Sequence, residues 1–436
     1  MDIRVPVTHP PADGASPGRT PSWWAPGIVR RPVVVIVLAV CAVFAGAMVI
    51  FSTTATHRLW GLVAAGAYAV AAVIALVWKA RGTDVALAIG VGGALLAPLG
   101  WLAFAGEEQP EVNVIVRSAQ LLVQHGTPYQ GTAALAATHD PNSFDPYLPV
   151  MTLFGLPRAV VGSATLADPR LWFTVVFVAV FWWALVAARA RDAVRWTALL
   201  AATPLVALPL AVGGTDLPVL GLLCLGLAFL WDQPRPVAAG LALGVAAAMK
   251  ATAWPALAVA VALIAARGAA ARGSPSGAVR PAGSFLVTAA CAVAVLVGPV
   301  AVLWPHALVE NTISFPLGLT KDKSRAASPL PGHLLADMGT AGHWVAVGLL
   351  IAAGVGIAVW LIVSPPRTVR SATGRLIIGL TLMFALAPAT RFGYFLYPAG
   401  LLAWLWLSAP EPPAPQAAGL RGAGPRPAAT VGASGR

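Results

Sequence analysis

Charged side chains are scarce in this sequence. Only 10% of the 436 residues are Asp, Glu, Lys or Arg, whereas 58% are hydrophobic and the mean hydropathy is +0.79. An ordinary soluble domain carries roughly a quarter charged residues. The composition therefore excludes a water-soluble globular protein.

Cysteine is also rare, and its three copies lie inside apolar runs. Cys41, Cys224 and Cys291 form neither a CxxC pair nor a Cys/His spacing, so the sequence encodes neither a disulfide framework nor a zinc site. Lys and Arg (28) exceed Asp and Glu (16), but these cations are spread between apolar runs rather than clustered. The excess of positive charge therefore indicates charged membrane loops and no nucleic-acid partner.

Twelve apolar runs predict membrane-spanning helices, because a bilayer core about 30 Å thick needs roughly 20 apolar residues per helix. The runs cover residues 33–51, 59–78, 85–105, 171–188, 196–213, 217–231, 237–249, 251–266, 285–304, 342–363, 376–389 and 393–408. We expect an all-α, polytopic integral membrane protein with about 12 (11 to 13) spans in one domain, 33–408. Residues 237–266 are compatible with one tilted helix or a tight hairpin.

The distribution of Lys and Arg predicts the orientation of these spans. With the N-terminus inside, 19 of the 28 cations fall on the inner face, as the bias of Lys and Arg toward cytoplasmic loops requires. Tails 1–32 and 409–436, rich in Pro, Gly, Ala and Arg, are then cytoplasmic and disordered. Residues 147–163 are apolar but contain Pro149 and Pro157, so they either re-enter the membrane or form a kinked thirteenth span.

Two long outer loops, 106–146 and 305–341, are the places where function is expected. In the first loop, apolar residues recur at the spacing of one helix face. Pro110 suits a helix start, and Gly126 followed by Pro128 suits a stop. The loop therefore predicts an amphipathic helix on the outer membrane surface. Its apolar face comprises Val112, Ile115, Val116, Ala119, Leu122 and Val123, and its polar face comprises Asn113, Arg117, Gln120 and Gln124.

Acidic residues gather around the start of this helix. Glu107, Glu108 and Glu111 lie at the outer interface, and Asp140 and Asp145 follow in the same loop. An acidic residue in a first helical turn also complements the helix dipole, so a purely structural role stays open.

The first outer loop resembles that of GT-C glycosyltransferases. EVNVIVRSAQLLVQHGTPY, followed by FDPYLPVMTLFGLP, is similar to the bacterial polyprenyl-phosphate-mannose-dependent α-1,2-mannosyltransferase family. Glu111, Ala119, Gly126, Tyr129 and Tyr147 match its pattern by position. The family usually has Asp at the position of Glu111, an aromatic residue at that of Ile115 and a Tyr-Pro-Pro motif where this chain has Tyr147-Leu148-Pro149.

The resemblance implies an enzyme of the bacterial plasma membrane whose active site faces outward. It would transfer a hexose such as mannose from a polyprenyl-phosphate sugar to a hydroxyl of a glycan or glycolipid. An outward-facing site has no access to cytosolic nucleotide sugars, so a donor carried by a membrane lipid fits the topology. Glu111 would accept the proton of the attacking hydroxyl in a single inverting displacement. No cofactor is implied, and Glu107, Glu108 and Glu111 form no dedicated metal-ligand set.

Two cations are candidates for binding the leaving phosphate. Lys250 lies between two short apolar runs, where burying an ammonium costs about 3 kcal/mol and usually marks function. Arg391 opens the last span beside Tyr394 and Tyr397; an interfacial anchor would look the same. Asp216 is another outer carboxylate, ranked below Glu111 because its loop is too short to shape a cleft.

The second outer loop contains the cluster Lys321, Lys323 and Arg325 around Asp322. The cluster predicts either a solvated loop tip or a lid over the substrate, and with Tyr129 and Tyr147 it is a candidate acceptor-binding region. His306 and His333 have no metal-ligand spacing and are more often structural.

Two other functions are compatible with the same sequence. A polytopic transporter or lipid flippase would have a similar span count but commonly shows inverted repeats and charges at the midplane. A non-catalytic scaffold would explain neither the amphipathic helix nor Lys250.

Overall fold

The computed structural model describes residues 30–79, 81–274 and 276–410. Within these ranges the regular secondary structure consists of helices, and β pairing is limited to an isolated bridge between Ala327 and Thr390. The predicted all-α fold is confirmed. Most of the two predicted tails, residues 1–29 and 411–436, lies outside the described ranges. The first helix already begins at Arg31, inside the predicted N-terminal tail.

Eight helices in the described part of the chain are long and apolar enough to cross a membrane, which supports a membrane-embedded protein. They are Arg31–Phe51, Ala55–Val77, Gly82–Ala105, Pro169–Ala187, Ala251–Arg272, Ser276–Leu303, Thr340–Val363 and Val369–Leu386.

The other predicted spans form shorter or broken helices. Ala193–Ala202 and Pro204–Val212 meet at a bend of 63° and would make a ninth span if counted together. Asp216–Ala228, Pro236–Met249 and Phe392–Leu407 have 10 to 17 residues, fewer than the 18 residues that the shortest of the eight helices contains. Every predicted run is helical, but the number of about 12 spans remains a prediction.

Arg-rich helix ends lie together at one end of the bundle, which we call the arginine end. Arg195 Nε lies 2.7 Å from Asp84 Oδ1, and Arg267 Nε donates to the carbonyl of Arg367 at 3.0 Å. The Arg370 guanidinium stacks over Trp231 at 5.5 Å. These contacts join segments that the sequence assigns to the same face.

Residues 237–266 form a hairpin. The first helix ends at Met249, Lys250 is extended (φ −156°, ψ 137°), and the next helix ends at Arg272. Arg267 donates to the carbonyl of Leu230, just before the first helix begins, so the chain has turned back.

The loop expected at 267–284 is largely helical. The preceding helix extends to Arg272, and the following helix begins at Ser276. A Cβ on Gly268 would lie 2.7 Å from the carbonyl oxygen of Gly277, so these two glycines allow the helices to touch by their backbones.

Polar side chains satisfy backbone carbonyls at helix irregularities inside the bundle. Trp60 Nε1 donates at 2.7 Å to Ala94 O, within the π-helical turn Val91–Leu96. The hydroxyl of Tyr68 donates to Ala202 O, just before the 63° bend. Apolar surroundings offer no water to such carbonyls, so these bonds let irregular backbone persist there.

The amphipathic helix is present as Pro110–His125, which we call the surface helix. Its buried residues include Val112, Ile115 and Ala119. They pack against the short helical segment Pro149–Val161 of the same chain. Protein of the same chain therefore covers most of this apolar face, while Val123 remains exposed. The position of the helix on the outer membrane surface remains a prediction.

Residues Pro149–Val161, which we call the re-entrant segment, begin and end on the side of the outer loops. Leu148 N donates to Met249 O at 2.9 Å. Arg158 Nη1 lies 2.6 Å from Glu108 Oε2 in the first outer loop. Both contacts lie on one side of the bundle, which is the arrangement of a re-entrant segment and not of a thirteenth span.

Candidate functional site

Four helix termini bring charged residues together at the end of the bundle opposite the arginine end. Asp216 begins one short helix, Lys250 ends a second and Arg391 precedes a third, while Glu111 lies in the first turn of the surface helix. A 13-residue helix is about 20 Å long, about 10 Å less than the bilayer core. Short helices can therefore place these charges below the level at which the long helices end.

Lys250 is almost completely enclosed by polar and aromatic groups. The residue is 8% exposed, and its ammonium forms an ion pair with Oδ1 of Asp216. The Nζ atom lies 5.1 Å from the ring centre of Tyr147 and 5.0 Å from that of Tyr394. The two aromatic faces favour the ammonium form, which compensates for the loss of water around it.

Asp216 accepts a second hydrogen bond. The Tyr397 hydroxyl donates to Oδ1 of Asp216 at 2.8 Å, and Thr252 Oγ1 donates to the same tyrosine hydroxyl at 3.2 Å. Asp216 is therefore a central member of the cluster. The sequence ranked Asp216 below Glu111 because its loop is short. That ranking did not take into account that the neighbouring helices, and not its own loop, form the cleft.

Glu111 and Arg391 form the more open half of the site. Arg391 Nη1 lies 3.6 Å from Glu111 Oε2, and the side chains are 42% and 19% exposed. Burial lowers the pKa of Arg391, but Glu111 and neighbouring groups raise it more, so the guanidinium stays charged. A carboxylate and a cation are thus both within reach of a ligand.

The backbone beside Glu111 leaves no room for another side chain. A Cβ on Gly213 would lie 3.0 Å from Glu111 Oε1. The backbone N–H of Gln109 donates to Val212 O at 3.0 Å, which ties the start of the surface helix to the end of Pro204–Val212. This close approach fixes the position of the Glu111 carboxylate.

The two tyrosines expected to bind an acceptor have different environments. Tyr147 lies beside Lys250, and its hydroxyl is 3.3 Å from Thr215 Oγ1. Tyr129 is 2% exposed, and its hydroxyl donates to the Tyr147 carbonyl at 2.8 Å. The Tyr129 hydroxyl therefore helps to position Tyr147, and the binding of an acceptor by these tyrosines remains a prediction.

Glu108 belongs to a separate buried ion network. It lies 2.6 Å from Arg158 and 3.8 Å from the fully buried Arg170, which also pairs with Asp168 at 2.8 Å. Arg170 Nη1 further donates to the carbonyl of Glu107. This network holds the first outer loop against Pro169–Ala187 and leaves Glu111 as the acid of that cluster that faces the site. No group of three His, Cys, Asp or Glu side chains suited to a metal occurs within the described ranges.

Asp145 links the two outer loops. Its carboxylate accepts from Ser118 Oγ at 2.6 Å and from the Tyr147 amide at 2.9 Å. The Asp145 amide donates to Asn311 Oδ1 in the second loop at 2.8 Å. Burial raises the pKa of Asp145 from 3.8 to about 7, although the hydrogen bonds from Ser118 and Tyr147 to the carboxylate and the charge of Arg117 oppose the rise.

The second outer loop is folded against the first. The Phe144 and Phe315 rings stack with centroids 4.3 Å apart, and Thr132 Oγ1 donates to Glu310 Oε2 at 2.6 Å. Short helices occupy Pro305–Val309 and Pro331–Asp337. Contacts at Glu310 and Phe315 thus hold the first part of this loop on the first outer loop, and a lid role remains a prediction.

The cations of the second loop lie near Arg391 but outside the enclosed cluster. Lys321, Lys323 and Arg325 are exposed, and Arg325 lies 3.5 Å from Asp140. Backbone hydrogen bonds from Thr390 to Ala326 and from Ser328 to Thr390, of 2.8 and 2.9 Å, tie the loop to the residue before Arg391.

A cavity of about 360 Å³ adjoins this loop, lined partly by Lys323, His333 and His343. His333 Nδ1 lies 2.9 Å from Pro388 O, and its Nε2 lies 3.2 Å from Asp337, which is a structural arrangement. His306 is exposed on the short helix that opens the loop.

The structure thus brings Glu111, Lys250, Arg391 and Tyr147 together and adds Asp216, Tyr394 and Tyr397. A signal for the last two existed in the sequence, because both follow Arg391 at the start of a helix. Their inward direction became visible only in three dimensions. No family model, curated protein or solved structure matches this chain.

Proposed function

We propose that this protein is an integral-membrane glycosyltransferase of the GT-C type. It transfers a hexose such as mannose from a polyprenyl-phosphate sugar to a hydroxyl of a glycan or glycolipid outside the cytoplasm. The observation that carries the proposal is the pairing of Glu111 with Arg391 beside Lys250 and Asp216, at the mouth of an apolar helical bundle. The resemblance of the first outer loop to that family supports the same assignment.

The two halves of the site suit the two charges of such a transfer. Glu111 takes the proton of the acceptor hydroxyl as its oxygen attacks the anomeric carbon, while the bond from that carbon to the lipid phosphate breaks. Arg391 and Lys250 stabilise the negative charge that collects on the departing phosphate. One base is sufficient for a single inverting displacement.

Asp216 is assigned a different role from Glu111. Its Oδ1 atom is already engaged by Lys250 and Tyr397. A carboxylate held in this way keeps the Lys250 ammonium charged and fixes its position, whereas Glu111 has a longer contact with its cation, 3.6 Å from Arg391 Nη1. Glu111 is therefore the better base.

Replacement of Glu111 by Gln tests the proposal directly. The purified protein in proteoliposomes is supplied with polyprenyl-phosphate mannose and a mannoside acceptor, and product is measured by mass spectrometry. Glu111→Gln lowers kcat by at least about a hundredfold, because general-base catalysis contributes at that scale, while donor binding is retained. The matched control is Glu107→Gln, which removes an exposed carboxylate from the same loop.

Equal activity of Glu111→Gln and wild type removes Glu111 as the base. Absence of transfer with every lipid-linked hexose tried, in protein that is folded by circular dichroism, contradicts the glycosyltransferase assignment itself.

Transport is a second candidate, favoured by the broken helix pair. Ala193–Ala202 and Pro204–Val212 bend by 63°, and the end of the pair lies beside Glu111. Discontinuous helices that end at a charged site occur in transporters. Uptake of a sugar or lipid into proteoliposomes without any transfer product identifies a transporter.

A further inference from the structure

An apolar groove lies among three spanning helices, away from the Glu111 site. It has a volume of about 290 Å³ and lies between Ala251–Arg272, Thr340–Val363 and Val369–Leu386. Its walls include Val259, Ala353, Gly354, Gly379 and Met383. A Cβ on Gly354 would meet no atom within 4 Å, so the groove is open at that point.

Arg375 lines the groove and is incompletely satisfied. The residue is 7% exposed, and its Nε and Nη1 atoms are buried with no hydrogen-bond partner. Its remaining contacts are a long hydrogen bond of 3.4 Å from Nη2 to Ser364 Oγ and the Trp360 ring at 5.0 Å. A buried guanidinium without an anion is costly, so two unpaired donors on a residue that lines the groove indicate a ligand with an acidic group.

The sequence around this end of the groove contains cations but no acid. No Asp or Glu occurs between Asp232 and Glu310 or between Asp337 and Glu411. Residues 264–281 and 364–375 nevertheless contribute six arginines, namely Arg267, Arg272, Arg280, Arg367, Arg370 and Arg375. These two segments therefore supply no carboxylate of their own to Arg375.

We infer that this groove binds one anionic phospholipid from the leaflet at the arginine end. An acyl chain fills the apolar groove, and the lipid phosphate accepts hydrogen bonds from Nε and Nη1 of Arg375. The ligand combines an apolar tail with a phosphate head, which matches a hydrophobic slot with a cation at one end. The positive-inside rule makes this the cytoplasmic leaflet.

The site is distinct from the proposed catalytic site in position and ligand. Glu111 and Lys250 lie at the opposite end of the bundle, and Arg375 lies on the second turn of Val369–Leu386 at the arginine end. A structural lipid here would hold Thr340–Val363, the helix with the smallest buried share among the eight, at 11%, against its neighbours. The inference therefore does not depend on which reaction the outer site performs.

Native mass spectrometry of the delipidated full-length protein tests the inference. Dioleoylphosphatidylglycerol and dioleoylphosphatidylcholine are titrated separately in detergent. We expect one saturable adduct, at least about tenfold tighter for phosphatidylglycerol. Arg375→Gln weakens it by about tenfold or more, as expected for loss of a charge-assisted hydrogen bond. Gly354→Leu fills the groove and also removes the adduct.

Two matched controls accompany these variants. Arg367→Gln removes an exposed arginine from the same end. Gly356→Leu adds the same side chain to the same helix at an exposed position that does not line the groove and has no atom within 4 Å of the added Cβ. Both variants should retain the wild-type affinity for phosphatidylglycerol.

Three outcomes overturn the inference. One is equal binding of phosphatidylglycerol to wild type, Arg375→Gln and Gly354→Leu. Another is that a polyprenyl phosphate binds more tightly than phosphatidylglycerol and that this binding depends on Arg375. This result assigns the groove to a substrate lipid. The third is a dimer that Gly354→Leu dissociates without affecting lipid adducts, which assigns it to a second copy of the chain. Gly354→Leu keeps the test decisive if Arg375→Gln fails to fold.

Discussion

Lys250 and Asp216, 34 positions apart in the sequence, form an ion pair at the junction of two short helices. Lys250 lies at the end of Pro236–Met249, and Asp216 is the first residue of Asp216–Ala228. Their side chains are only 9% and 16% exposed. The pair therefore joins the two helices as well as charging the site.

Removal of only one partner of this pair should destabilise the protein strongly. Lys250→Met leaves the Asp216 carboxylate buried without its cation, which costs about 3 kcal/mol. Thermal unfolding in detergent, followed by tryptophan fluorescence, measures the loss. The double variant Lys250→Met with Asp216→Asn should lose less than the two single variants together. Additive losses would contradict direct coupling.

Replacement of Arg391 should separate charge from hydrogen-bond geometry. Arg391→Met removes the cation beside Glu111 and should raise the KM for a lipid-phosphate sugar by about tenfold or more. Arg391→Lys keeps the charge but loses the planar donor fork, so an intermediate KM is expected. Arg58→Met, at an exposed cation on the first turn of Ala55–Val77, is the comparison. A KM for Arg391→Met equal to that of wild type would exclude Arg391 from donor binding.

Asp145 should make stability depend on pH. Its pKa rises from 3.8 to about 7 on folding because the carboxyl is buried. The folded state therefore binds the proton more tightly than the unfolded state. The resulting stabilisation is complete below about pH 4 and is lost as the pH rises through about 7, with a limiting slope of about 1.4 kcal/mol per unit.

The difference between wild type and Asp145→Asn isolates this contribution. The unfolding temperature of wild type should fall more steeply from pH 5 to pH 8 than that of Asp145→Asn, which cannot titrate at this position. Parallel curves would show that Asp145 does not titrate in this range.

Gly155 should be intolerant of even one methyl group. A Cβ at this position would lie 2.4 Å from the carbonyl oxygen of Ile115 and 2.9 Å from the Ala119 Cβ. Gly155→Ala therefore forces the re-entrant segment away from the surface helix and should cost about 1 to 3 kcal/mol. Gly131→Ala is the control, because a Cβ there meets nothing within 4 Å and its φ of −74° suits alanine. Equal unfolding temperatures of the two variants would contradict the close packing.

Features carried by short stretches of sequence could be predicted. Pro110 and Gly126 bound the surface helix because a proline at the first helical position and a glycine after the last act locally. Each of the twelve hydrophobic runs is helical for the same reason, although the run 196–213 did not indicate its 63° bend. Lys250 stood out because a charge between apolar runs is rare, whereas Glu111 stood out by its place at the start of the surface helix and Arg391 by its place at the start of the last span.

Features that depend on partners distant in the chain could not be predicted. The sequence near Asp216 does not indicate that Lys250 and Tyr397 are its neighbours. The stabilising role of Tyr129 depends on a carbonyl 18 positions away. The close approach of Gly268 and Gly277, in helices that extend to Arg272 and from Ser276, was not indicated by the loop-like composition of these residues.

The short helices that end at Asp216, Lys250 and Arg391 determine how a ligand reaches the site. Under the proposed function, a lipid-borne donor would reach charges held below the ends of the long helices by sideways diffusion within the bilayer. Turnover should then follow the mole fraction of donor among the surrounding lipids, so that diluting the vesicles at fixed membrane composition leaves the rate per protein unchanged.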